Sequence, residues 1–534
     1  MVRHGSTLSL LTLVSRILGL VREMAKASLL GTSALSDAFS VAFMIPNLFR
    51  RLFAEGSIAV AFIPTFREYL LKDPAAKAVE NRTGAGNNGP FPDSTGEFLS
   101  CMFSLLIFLV SLAVMLGILL SPLIIPVFKL TEADEAVLLT QIMFPFLGFI
   151  SLAALFQGIL NSLKVFTPSA LAPIVLNLVV IVFSYGLSPF TANPARAMAI
   201  GVFTGGFLEA AIQFPFVLKM GRRFFFVNLK RAFTNPGTRK VLALIGPTIV
   251  GMAAYQLNDL VSTALAGNAG KGVISSLQYS LRLQELILGV FAVSIGTVLL
   301  PDLAEYAKTG QWGIYSERLS AAMNVIAFIT IPITFYSLAE GETLIRLLFQ
   351  NRSFDEISVS LTLEALRFHM PGLFFIALNR ILAPAFYAQS DSKSPTLAGI
   401  ISFGVNILLA AVLVRPMRGA GIALALSLSS AVNTVLLLAF LRKNPKIGVG
   451  RALRATLFYA LKLLVFSFLA SLPLLALRSP LASLFSSRGR LIRQGIPLTI
   501  SGLIYAALGL ALLLITKDRQ LRAIIRVLRR RKVR

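Results

Sequence analysis

Apolar stretches long enough to cross a bilayer follow one another along almost the whole chain. About 20 apolar residues span the hydrocarbon core as a helix. Fourteen such segments can be drawn: 8–30, 34–66, 98–121, 136–160, 168–189, 196–218, 241–266, 273–300, 319–339, 357–388, 395–414, 419–441, 455–477 and 494–516. With 56% hydrophobic and 14% charged residues among 534, the chain is not a soluble globular protein. The expected fold is an all-α polytopic membrane protein with 14 transmembrane helices. No short apolar region ends in a small-residue cleavage site, so 8–30 is expected to stay as the first helix.

Charge inside these spans is the exception that needs a reason. Segment 8–30 carries Arg16 and Arg22, and 34–66 carries Arg50 and Arg51 behind Pro46-Asn47. An ionised group at membrane depth costs at least ~2.5 kcal/mol and is tolerated where it faces a wet cavity or a partner. Four arginines in two spans point to a polar cavity for something anionic. A phosphate fits, because the guanidinium fork grips oxygens two at a time and does not deprotonate. Arg50 and Arg51 lie about 100° apart on a helix and cannot point the same way. Arg51 can pair with Glu55 at i,i+4, which leaves Arg50 as the better cavity residue. Arg16 and Glu23 share nearly one face, Arg22 lies about 120° away on an ideal helix, and Gly19 permits a bend that changes this angle. Arg282 lies mid-span with Glu285 at i+3, and Arg380 precedes Leu382-Ala383-Pro384-Ala385. The competing reading is that each arginine neutralises a carboxylate, with Glu23, Asp37, Glu55 and Glu285 available. Asp259, in the seventh span, suggests an ion or proton site, with Asn258 and Asn406 as further oxygen ligands; a structural Asp is the alternative. Glu209 carries the same ambiguity.

The net charge of +26 raises nucleic acid as a partner, and its distribution argues against one. With the N-terminus in the cytoplasm, loops on that side hold about 30 Lys/Arg and the opposite loops about 11. An even number of spans puts both termini in the cytoplasm. Arg478, Arg488, Arg490 and Arg493 fall on the wrong side of this rule. Cys101 is alone, so no intramolecular disulfide forms, and His4 and His369 are the only histidines. That leaves little for histidine catalysis or zinc. Gly267-Asn268-Ala269-Gly270-Lys271-Gly272 lacks the spacing of a phosphate loop. No enzyme and no firm metal site are expected.

Two segments recur. Residues 61–69 read like 298–306, sharing P-x-x-x-E-Y, and Phe144-Pro145 through Pro168 reads like Met370-Pro371 through Pro395. The offsets are similar, so the chain reads as a duplication of a six-helix unit. Two repeats in parallel orientation imply a pseudo-twofold axis along the membrane normal with a site between the halves. The expected domains are an N-terminal six-helix lobe at 1–220, a basic cytoplasmic linker at 221–240, a second lobe at 241–443, helices 13 and 14 within 444–516, and a basic tail at 517–534. Gly201-x-x-x-Gly205 reads as close helix packing. Residues 72–96 read as a flexible loop, and the basic tail reads as an interfacial helix or a topogenic anchor.

Ser15-Arg16-Ile17-Leu18-Gly19-Leu20-Val21-Arg22, Asp37-Ala38-Phe39 and Pro46-Asn47-Leu48-Phe49-Arg50-Arg51-Leu52-Phe53-Ala54-Glu55-Gly56 resemble the signature of the MurJ (MviN) lipid II flippases. Gly296-Thr297-Val298-Leu299-Leu300-Pro301, 382–388 and Lys393-Ser394-Pro395 continue the match in order to the twelfth span. The family belongs to the multidrug/oligosaccharidyl-lipid/polysaccharide exporter superfamily. The resemblance implies two six-helix lobes plus two extra C-terminal helices. It also implies alternating access to a central cationic cavity, in the bacterial inner membrane. The implied substrate is lipid II, an undecaprenyl-diphosphate-linked disaccharide-peptide, moved to the outer leaflet for peptidoglycan synthesis. The implied essential arginines are Arg16, Arg22, Arg50 and Arg282, supported by Asp37, Arg51, Glu55, Glu285 and Arg380. This chain has Ile287 where the family often has proline. Asp259 matches a sodium site of some members, and Asn406 stands where a second acid is expected. No cofactor is implied; sodium or the membrane potential stands as the energy source. The expected partners are lipid II, membrane lipids and cell-wall synthesis proteins. The alternatives are an exporter of another lipid-linked oligosaccharide or a drug, a membrane-embedded glycosyltransferase, and a scaffold. A drug exporter has no need of the arginine motifs, and a glycosyltransferase needs acidic or His groups near a sugar.

Overall fold

Helices built of unbroken apolar sequence dominate the computed structural model, which describes residues 2–52, 58–72, 93–222, 225–485, 489–518 and 520–522, with no strand among them. By contact the chain divides into two compact units, Met1–Ser275 and Ser276–Arg534.

The first unit holds α1 (Val2–Leu30), α2 (Ala34–Phe49), α3 (Ile58–Lys72), α4 (Asp93–Ile124), α5 (Ala133–Met143), α6 (Phe146–Ser162), α7 (Thr167–Gly186), α8 (Pro194–Lys219), the short α9 (Leu229–Thr234) and α10 (Pro236–Gly267). The segment expected at 34–66 is described as α2, followed by a π-helical turn at 50–52, and as α3 from Ile58; residues 53–57 lie outside the described ones. Aromatic rings fill the core: Phe62 stacks on Phe66 at 5.3 Å and on Phe98 at 5.8 Å, and Tyr69 stacks on Phe98 at 4.7 Å. Gly201 and Gly205 of α8 pack on α7, where an added Cβ would come within 2.9 Å of Phe183 and 2.7 Å of Leu176. Only small residues permit that backbone approach.

The basic linker is pinned rather than loose. Ser100 and Ser104 hydroxyls accept from the Phe225 and Val227 amides, and Arg231 pairs with Glu97 at 2.7 Å. Lys240 and Lys72 both hydrogen-bond Glu68, and those bonds hold its carboxyl down to about 2. The helix that follows, α10, packs on α3. The contact boundary therefore lies beyond the 221–240 linker.

The second unit holds most of α11 (Val273–Lys308), then α12 (Trp312–Phe349), α13 (Glu356–His369), α14 (Gly372–Tyr387), α15 (Lys393–Arg442), α16 (Val449–Leu484) and α17 (Arg490–Ile515). Helix α12 anchors α16 and α17. Tyr336 Oη donates to the Leu498 carbonyl at 2.7 Å, and Tyr505 Oη to the Pro332 carbonyl at 2.9 Å. Segments 395–414 and 419–441 both lie in α15, separated by Arg418, whose φ of 47° and ψ of −126° are not helical. The Ser402 hydroxyl donates to the Ser429 carbonyl and the Ser429 hydroxyl to Asn406 Oδ1, so the two halves fold back on each other.

Both matched proline sites interrupt a helix: Phe144-Pro145 parts α5 from α6, and Met370-Pro371 parts α13 from α14, the latter pair bent by 50°. Proline frees carbonyls in the preceding turn, and at membrane depth these must find donors. At the second break Ser427 donates to the Phe368 carbonyl, Gln284 to that of His369 and Thr334 to that of Met370.

Among the described residues eight helices are long and apolar enough to cross a membrane, or nine if α13 and α14 form one span. Helix α2, which carries Asp37, is 16 residues long and so falls short of a full span.

Candidate functional site

Helix α1 presents a stripe of charge toward α2. Arg22, largely buried, places a terminal nitrogen 2.8 Å from Glu23 Oε1 and its guanidinium 5.7 Å from the Phe43 ring of α2. Glu23, expected on the face of Arg16, thus answers its sequence neighbour. Arg16 is half-buried, with no ion pair among the described residues. One turn beyond Arg22 lies Lys26, buried, its Nζ 2.5 Å from Ser40 Oγ and 5.9 Å from the Phe39 ring. Sequence reasoning missed Lys26 by following arginines alone; its i+4 spacing from Arg22 was the available signal. Hydrogen bonds from Asn177 Nδ2 to the Ser15 carbonyl and between Ser28 and Tyr185 fix α1 on α7.

Asp37 lies in the first turn of α2, which Ser33 caps by accepting from the Ser36 amide. Its buried carboxylate meets no arginine among the described residues. Oδ2 accepts from the Gly272 amide at 2.6 Å, and Oδ1 from the Ser275 amide at 2.8 Å and the Ser275 hydroxyl at 2.7 Å. Those amides open α11, and a helix N-terminus supplies unpaired donors and a positive dipole end to which a carboxylate is drawn. The contact is close: Gly272 has φ of 82°, and a Cβ there would run into the Thr32 carbonyl.

Arg50 follows α2 and donates from Nε to Asn47 Oδ1 at 2.8 Å. Arg51 is half-buried beside it; Glu55, its expected partner, lies outside the described residues, as do Arg488 and the tail from residue 523.

In the second unit, Arg282 reaches Glu285 Oε2 at 3.3 Å, the i+3 pair expected, while its Nε is buried with no hydrogen-bond partner. Glu285 is about half exposed, so this arginine keeps donors in reserve. Arg380 of α14 is exposed. Asn406 is buried against Ser429, and Asp259 is exposed on α10. Among the described residues no group of three or more His, Cys, Asp or Glu is placed to hold a metal ion. His369 is fully buried at the α13–α14 break, its Nδ1 2.8 Å from Ser280 Oγ. No local pattern around His369 pointed to that contact.

Residues 26–487 match the family model described as "Lipid II flippase MurJ". A curated protein of Treponema pallidum (strain Nichols), "Probable lipid II flippase MurJ", is 44% identical over 518 residues, covering 97% of this chain and 96% of its own. "Lipid II flippase MurJ" of Burkholderia cenocepacia is 33% identical over 456 residues, covering 82% and 83%. Among solved structures, "Lipid II flippase MurJ, inward closed conformation" superposes with a TM-score of 0.74 at 24% identity, covering 96% of this chain and 99% of that one. An inward-facing multidrug resistance MATE transporter of the MOP superfamily gives 0.61 at 13% identity, covering 82% and 96%.

Proposed function

The chain belongs to the MurJ family of lipid II flippases, and from that membership we propose how its own side chains carry the activity. The protein is a lipid II flippase and a multi-pass membrane transporter. It moves the undecaprenyl-diphosphate-linked disaccharide-peptide from the cytoplasmic to the outer leaflet and makes or breaks no covalent bond in it. Arg16, Arg22, Arg50 and Arg282 bind the diphosphate. Charge-assisted bonds from guanidinium to phosphate are about twice as strong as neutral ones. The donors that Arg282 leaves unused support this role. Glu285, Glu23 and Lys26 tune the charge around them. The polyprenyl chain stays in lipid, and a sodium gradient or the membrane potential supplies the energy. Both termini face the cytoplasm.

Transport proceeds by alternating access. The Asp37 clasp is one half of the device: it ties the turn at 31–36 to the turn at 267–272 while the outer side is shut. A buried carboxylate held by three donors opens only when water or another partner replaces them.

The observation that carries the reading is the family match across 26–487. The deciding experiment measures which leaflet holds lipid II after the protein is depleted from cells. Accumulation on the cytoplasmic face is expected; an unchanged distribution would refute the reading.

A further inference from the structure

Where α12 ends, between the close of α16 and the start of α17, lies a cavity of about 380 Å³. Its size falls in the ~300–1,000 Å³ range of small-molecule sites, yet its walls are charged. Arg346, Arg478 and Arg493 line it with Glu340 and Glu342.

The cations here exceed the acids that answer them. Glu342 is shared, with Oε1 2.9 Å from Arg346 and Oε2 on Arg478. Arg346 extends to Glu356 at 2.6 Å. Arg490 donates to the Gln350 carbonyl rather than to a carboxylate. Arg493 has no ion pair among the described residues, and its Nε is buried without a hydrogen-bond partner. Four arginines thus stand with three carboxylates, Glu340, Glu342 and Glu356. Buried donors are satisfied in folded proteins as a rule, so an unmet one marks a place for an acceptor. On the topology proposed above, Arg478, Arg490 and Arg493 also break the positive-inside rule. A ligand on that side gives them a reason to be there.

The surroundings say what kind of ligand. Leu475 lines the cavity and is exposed, and Leu484, Leu491 and Ile492 are exposed at the end of α16 and the start of α17 that flank it. Apolar side chains uncovered beside a cationic pocket at a helix end suit a molecule with an anionic head and hydrocarbon chains. We propose that this cavity binds the phosphate of a membrane-lipid headgroup, with Arg493 and Arg478 as donors and the acyl chains along α16 and α17. The arginine fork matches phosphate oxygens where a lysine would offer only a point charge. The site lies wholly within Ser276–Arg534. It shares no residue with the arginines assigned to the substrate, so it stands or falls apart from the flippase reading.

The test uses the purified full-length protein in detergent, with bound lipid read by native mass spectrometry. Phosphatidylglycerol is expected to bind saturably, and diacylglycerol, with the same chains and no phosphate, is not. Arg493→Gln should weaken phosphatidylglycerol roughly tenfold or more, the worth of one charge-assisted hydrogen bond. Arg415→Gln, on exposed surface elsewhere, should leave it unchanged. Inorganic phosphate should compete poorly, since it lacks the chains. Equal binding of diacylglycerol, or full affinity in Arg493→Gln, overturns the site. Complete displacement by equimolar inorganic phosphate overturns the lipid in favour of a free anion. If Arg493→Gln does not purify, Arg493→Lys replaces it: it keeps the charge, loses Nε, and should weaken binding severalfold. Undiminished affinity in that variant overturns the proposal equally.

Discussion

A guanidinium offers five N–H donors, and at Arg282 a lone carboxylate oxygen at 3.3 Å takes one of them. That surplus is what supports the proposed role of Arg282. Arg196, by contrast, is gripped twice by Glu135, at 2.8 and 2.7 Å, and has a settled partner. Arg16→Ala, Arg22→Ala, Arg50→Ala and Arg282→Ala should each abolish complementation of a depleted strain while the protein still inserts. One lost charge-assisted bond, about 1.5–3 kcal/mol, is ~10–100-fold in affinity. The lysine variants should retain part of the function, and Arg51→Ala more; full complementation by Arg50→Ala would remove Arg50 from the site. At this scale the arginines were legible because charge stands out in apolar sequence. The partner of Asp37 was not, since Gly272 and Ser275 lie 235 and 238 residues away and no local spacing joins them.

Among the helices, the matched prolines showed the repeat but not the breaks, since 136–160 and 357–388 each read as one span. Pro145 and Pro371 could be matched in sequence, and both interrupt a helix. The bend of 50° at the second depends on Gln284, Thr334 and Ser427, polar residues scattered over three other helices. The reversal at Arg418 could be placed between two apolar runs, 395–414 and 419–441. The basic linker carried no sign in its sequence of what holds it, yet Glu68 binds it to the end of α3 through Lys240. That pairing has a pH signature. The Glu68 carboxyl, ordinarily near 4.5, is held at about 2 in the folded protein, so the unfolded chain binds the proton first. The stabilisation is complete above about pH 4.5 and is lost as pH falls toward about 2. Melting temperatures across that window should therefore decline less steeply in Glu68→Gln than in the parent. The difference should be small, because the pair is exposed and screened. Identical slopes would show that the pair contributes nothing.

For the whole molecule, the proposed topology and movement make measurable predictions. Reporter fusions after Arg534 and within 190–195 should report opposite sides of the membrane; the same side for both breaks the proposed topology. Cysteines in the turns at 31–36 and 267–272, in a Cys101→Ser background, should cross-link and arrest transport until reduced. Lys271→Cys with Thr32→Cys is the preferred pair, because a side chain at Gly272 would meet the Thr32 carbonyl. Full cross-linking with undiminished transport would rule out the clasp as a moving part.

The clasp also keeps time. The amides of Gly272 and Ser275 give their hydrogens to a carboxylate buried from water. Deuterium can replace those hydrogens only while the carboxylate is away, so their exchange rate in heavy water counts openings of the native protein. A substrate that prefers the open form speeds that clock, and one that binds both forms equally leaves it unchanged.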